Sequence, residues 1–91
     1  MSLNCRVREV HSMAELYQTL AAQLHFPAHF SANLDALYDC LTGDVKGPFT
    51  LSIENSAALR HALGEPDYTA FRQTLEDAAA ARPDFTLHLV D

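Results

Sequence analysis

Three short stretches of this chain alternate strictly between apolar and polar side chains, and they limit the possible folds more than anything else in it. Leu3, Cys5 and Val7 interleave with Asn4, Arg6 and Arg8; Phe49, Leu51 and Ile53 with Thr50, Ser52 and Glu54; Phe85, Leu87 and Leu89 with Thr86 and His88. A period of two with one apolar face describes a strand buried on one side only. Helical segments separate the three, so the order is strand, helices, strand, helices, strand, which implies a parallel sheet. Parallel sheets covered on both faces carry near-continuous apolar runs, and these strands do not. With right-handed crossovers and strand order 1-2-3, every helix falls on the same face. The expected architecture is a two-layer α/β fold: a three-stranded parallel sheet, helices on one face, water on the other.

The intervening segments supply the helices. Ser12, with Glu15 three residues on, predicts a capping box. Leu16, Leu20 and Leu24 form the stripe of a helix that should stop before Pro27. A loop over 25–32 leads to a helix over 33–42 with a stripe of Leu34, Leu37 and Leu41, and Gly43 is expected to end it in the left-handed conformation that glycine adopts without penalty. Ser56 to Leu59 open a short helix that Gly64-Glu65-Pro66 terminate. Asp67 is expected to cap a last helix through Tyr68, Phe71 and Leu75 to Ala81, stopped by Pro83.

At 91 residues the chain is expected to form a single domain over 1–91. No apolar run approaches the roughly 20 residues that cross a bilayer, and no start resembles a signal peptide. Cys5 and Cys40 are too few for a disulfide framework and lack metal-ligand spacing, so both are expected to be free thiols and the compartment cytoplasmic.

Charge narrows the function. Six Lys and Arg against twelve Asp and Glu give a net charge of −6, which opposes direct binding of nucleic acid or of an anionic membrane surface. No Lys or Arg lies between Arg8 and Lys46, while Glu15, Asp35, Asp39 and Asp44 fall in that interval. Such asymmetry attracts a basic partner. Enzyme readings find little support. The glycines at 43, 47 and 64 make no phosphate loop. Pro27 breaks the spacing of His25 and His29 as metal ligands. Helix phase sets Cys40 beside the core stripe, away from the aspartates, where a thiol nucleophile has no histidine. No cofactor is expected.

The 33–42 helix is the most informative segment for function. Asp35 and Asp39 stand at i and i+4, a like-charge pair costing about 0.2–0.5 kcal/mol, and every cation lies too far along the sequence to relieve it locally. Thr42 joins them on that side, with Tyr38 at the border. Two readings remain open from spacing alone: a solvated acidic face, or a concentrated negative field put to use.

The run Asn33-Leu34-Asp35-Ala36-Leu37-Tyr38-Asp39-Cys40-Leu41-Thr42-Gly43 resembles the binding helix of the barstar family, intracellular inhibitors of barnase-type ribonucleases. The likeness extends through Leu16-Tyr17-Gln18-Thr19-Leu20, Pro27, Pro48 and Asp84-Phe85-Thr86. It implies a non-enzymatic inhibitor that binds a basic, extracellular-type ribonuclease 1:1 and occludes its active site. The position matching Asp39 fills the site of substrate phosphate, and that matching Asp35 supports it. Asn33, Thr42 and Gly43 match family contact positions identically. Tyr38 replaces the usual tryptophan. His29 stands where the type member has tyrosine, and Asp44 where it has a second tryptophan. A fourth-helix acid also contributes in the family, a role that Glu76 or Asp77 could take here. The alternative is an acidic interaction module for some other basic protein, without inhibition.

Overall fold

The computed structural model describes residues 3–90; Met1, Ser2 and Asp91, the ends of the domain expected over 1–91, lie outside the described residues. In chain order the elements are β1 (Leu3–Val7), α1 (Met13–Leu24), α2 (Leu34–Asp39), a π-turn (Cys40–Asp44), β2 (Phe49–Ile53), α3 (Ser56–Leu63), α4 (Glu65–Ala81) and β3 (Phe85–Leu89). The strands pair in the order β1-β2-β3, all parallel. Leu3, Phe49 and Phe85 stand level at one end, and Val7, Ile53 and Leu89 at the other.

The alternation has the meaning expected from it. Cys5, Val7, Phe49, Leu51, Ile53 and Phe85 are buried in a cluster with Leu16, Leu20 and Leu24 of α1, Leu37 of α2 and Phe71 and Leu75 of α4. Asn4, Arg6, Thr86 and His88, on the other sheet face, are exposed. Each fully buried leucine or phenylalanine contributes about 1.5–3 kcal/mol, so the three-leucine stripe of α1 is a large part of what docks that helix on the sheet. Ser12 caps α1, accepting from the Glu15 N–H at 3.1 Å. His25 ends it at φ 57°, in the left-handed region, ahead of Pro27.

One boundary differs from expectation. α4 starts at Glu65, not at an Asp67 cap: Gly64 precedes it, Pro66 takes an opening position and Asp67 lies in the first turn. Proline fits there because the first N–H groups of a helix have no intrahelical partner. It opens α4 rather than closing α3.

The sheet's outer edge at β1 is occupied by a side chain. Gln23 of α1 accepts from the Arg6 N–H and donates to the Arg6 carbonyl, each at 3.0 Å, in the manner of a neighbouring strand. At the carboxyl ends of the strands, Arg6 and Arg8 both pair with Glu54, at 3.6 and 3.2 Å. They line a surface groove of about 750 Å³ together with His11, Asn55 and His88.

Candidate functional site

Asn33 begins the acidic helix. Its side-chain oxygen accepts from the Ala36 N–H at 2.8 Å, satisfying one of the orphan donors of a helix start. This residue therefore has a structural role that the sequence reading missed, and its amide nitrogen is what it can offer a partner. The loop before it is held by aromatic packing: Phe26 and Phe30 lie 4.8 Å apart between centroids, and Phe30 meets Tyr17 of α1 at 6.0 Å. Phe26 and Phe30 pack on the core while His29, between them, is exposed. The aromatics flanking Pro27 were the available signal for this anchor.

Asp35 falls in the first turn of α2, where the positive end of the helix dipole favours a carboxylate. That placement offsets much of the i,i+4 repulsion. Asp39 has no such help, because it is the last residue of the regular helix. Both are exposed. Among the described residues no ion pair engages either one, nor Glu9, Asp44, Asp67 or Asp77, whereas Glu54, Glu65, Glu76 and Asp84 are paired with arginines. Tyr38 is half-buried and packs against the core. Thr42 donates its hydroxyl proton to the Tyr38 carbonyl at 2.8 Å, leaving its oxygen as an acceptor.

The helix end contradicts the expected glycine stop. The chain widens through Cys40–Asp44 into a π-turn closed by the Val45 N–H donating to the Cys40 carbonyl at 3.0 Å. Gly43 is part of that turn and its φ is not left-handed. A Cβ at 43 would meet nothing within 4 Å, so the fold does not demand glycine there. The physical reason for the different ending comes from a residue far away in sequence. Arg82 Nη1 donates to the Leu41 carbonyl at 3.0 Å and to the Val45 carbonyl at 2.6 Å. The last carbonyls of a helix have no intrahelical partner, and an arginine side chain is one donor that can satisfy them. A cation does reach this helix, then, but it is spent on backbone and on Asp84, not on Asp35 or Asp39.

Cys40 also corrects the sequence reading. It is buried, as expected, yet it is not turned away from the acidic side. Burial, then a hydrogen bond with Asp44 and the charges of Asp44 and Asp39, push its thiol up to about 11. Cys5, in β1, is pushed to about 11 by burial alone. Both thiols are free. Asp44 and Gly43 are exposed at the tip of the turn.

α2 packs against α4, which carries both fourth-helix candidates on exposed positions. Asp77 accepts from Gln73 Nε2 at 2.9 Å, and Glu76 stands 3.8 Å from Arg72 Nε. His25 and His29 belong to the loop, and no group of three or more His, Cys, Asp or Glu able to hold a metal occurs among the described residues. No helix there is long and apolar enough to cross a membrane.

A short anchored helix thus carries an exposed pair of carboxylates that no cation neutralises among the described residues. A Bacillus subtilis (strain 168) protein named "Putative ribonuclease inhibitor YrdF" is 44% identical over 48 residues, covering 53% of this chain and 53% of that protein. The chain therefore spans about half the length of that curated relative in the match. The family model described as "Barstar (barnase inhibitor)" matches residues 1–90. The chain belongs to the barstar family.

Proposed function

We propose that this chain inhibits a basic, extracellular-type ribonuclease by binding it 1:1 and covering its active site with α2 and the π-turn. The observation that carries the reading is the exposed pair Asp35 and Asp39, which no cation among the described residues neutralises. A ribonuclease must hold a phosphodiester, so its active site presents arginine, lysine and histidine in a concave positive pocket. A carboxylate projecting from a packed helix can take the phosphate position and accept charge-assisted hydrogen bonds. Asp39 has that role, Asp35 supports it from the preceding turn, and Tyr38 is the aromatic anchor. Asn33, Thr42 and Gly43 line the contact; bare space around Gly43 lets a partner's backbone approach closely. His29 and Asp44 border it. From α4 the contact is Glu76 or Asp77: Glu76 stands 3.8 Å from Arg72 Nε, and Asp77 accepts from Gln73.

The test is a titration of the purified protein into a barnase-type ribonuclease while residual cleavage is measured. Cleavage should fall linearly to an end point at one equivalent. Undiminished cleavage at excess inhibitor would reject the reading and leave the acidic interaction module in its place.

A further inference from the structure

We infer that Arg82 is a positioning residue for the acidic surface: its guanidinium holds the Cys40–Asp44 turn in its widened form and so fixes where Thr42, Gly43 and Asp44 stand relative to Asp39. The functional part of this inference rests on the inhibitor reading above; the structural part does not.

The π-helix is rare and occurs mostly as single turns, and this one has support from outside the segment. Arg82 supplies it. One nitrogen, Nη1, bridges the Leu41 and Val45 carbonyls, spanning the turn like a staple. The orientation of the guanidinium is itself fixed from two further directions. Nε donates to Asp84 Oδ1 at 2.6 Å and Nη2 to Asp84 Oδ2 at 3.1 Å, a forked pair. The guanidinium carbon lies 4.9 Å from the centroid of the Phe49 ring, which is stacked on Phe85 at 4.5 Å. The Arg82 side chain is only 15% exposed, and all three of its nitrogens have acceptors. The loop from the turn into β2 closes over the pair: a Cβ at Gly47 would collide with the Asp84 carboxylate and come within 2.8 Å of Arg82 Nη2. Glycine is required at 47 for that approach, in contrast to 43.

Gly43 makes the staple necessary. Its backbone can enter the left-handed region at no steric cost, so without Arg82 the segment has an ordinary glycine-ended helix available to it. In that form the cap bonds go to the Asp39 and Cys40 carbonyls, and Gly43 and Asp44 swing relative to Asp39. Arg82 selects between two endings of one helix. It does so without weakening the negative surface, because its own charge is taken up by Asp84, whose carboxyl that hydrogen bond holds below its usual range.

Arg82→Met tests this, since methionine keeps a stem against Phe49 and removes every donor. Amide exchange should be at least tenfold faster at the Val45 N–H, with that of Leu51 in the central strand unchanged, and the ribonuclease complex should dissociate about tenfold faster. Adding Gly43→Ala should recover Val45 protection, because alanine penalises the left-handed ending. A merely structural role predicts equal loss at Val45 and Leu51 and no recovery. Either that pattern or an unchanged Val45 rate overturns the inference. If Arg82→Met does not fold, Asp84→Asn, which loosens the fork but keeps the arginine, should produce a smaller acceleration confined to the same amide; none, or a uniform one, overturns it equally. A parent protein that fails to bind the ribonuclease would reject the inhibitor reading alone, since amide exchange still judges Arg82.

Discussion

The two ends of the sheet handle charge in opposite ways. At the carboxyl ends of the strands, Glu54 is gripped by both Arg6 and Arg8, and the groove there mixes cations, an anion and imidazoles. At the amino ends, where the π-turn runs into β2, the arginine binds backbone and Asp84, and the carboxylates of α2 receive nothing. The difference teaches where to look for a partner. Charges that satisfy one another internally contribute to holding the fold and present little field. Charges left unpaired in a domain that could have paired them stay available for recognition.

The largest effect that could break this contrast is at Asp39. If its carboxylate stands in for phosphate, Asp39→Ala should cost about 2–5 kcal/mol of binding, mostly as faster dissociation; this is the general range for truncating one side of a desolvated charge pair, and the family's type complex is a standard instance of it. Thermal stability should hold or rise slightly, since the repulsion with Asp35 disappears. Equal dissociation rates for variant and parent would end the phosphate-mimic account.

Next comes alkaline pH. Cys5 and Cys40 have folded-state thiols raised from 9.0 to about 11, so the folded state favours their protonated forms. Their contribution is complete below pH 9 and is lost as pH rises through about 11. Denaturation midpoints measured from pH 8 to 11 should fall, and Cys40→Ala should flatten part of that fall. Asp44→Ala should bring the thiol at 40 back toward ordinary reactivity, which alkylation rates at pH 9 to 10 would show. Its effect on binding should be only about 0–1 kcal/mol, seen in association rate and salt dependence.

The smallest expected change sharpens the comparison from the other end. Glu54→Gln removes two solvent-exposed ion pairs and should lower stability by about 1 kcal/mol or less, while ribonuclease affinity stays at the parent value. A clear loss of affinity would mean that the paired end participates in recognition after all.

Much of this architecture was legible because the relevant signals are local. A strand's alternation and a helix's leucine stripe are written within a few residues, so the sheet order, the single covered face and the Ser12 cap followed from periodicity. Asp67 was misread as a cap because Gly64 and Pro66 punctuate equally well as the end of one helix or the start of another. Gly43 was misread for a deeper reason. Glycine permits the left-handed ending but does not compel it, and the donor that decides lies 41 residues from Leu41, beyond any local pattern. Asp44, four residues after Cys40, lies over its thiol across the widened turn, a neighbour that the sequence reading, set on Asp35 and Asp39, left out. The acidic helix itself was visible from residue types. Its lack of cations in space required coordinates, because only they show which arginine goes where.

The side-chain amide of Gln23, set against Arg6 at the margin of β1, has a consequence for how copies of this protein can meet. Building a continuous ribbon of sheets requires each molecule to be joined along both margins, one for the copy before and one for the copy after. Here one margin is stoppered at mid-strand, and β3, with Leu89 and Val90 exposed beside it, is the margin left open. A strand from another copy that added along β1 would have to displace Gln23 from the Arg6 backbone first, so the fold itself opposes growth on that margin.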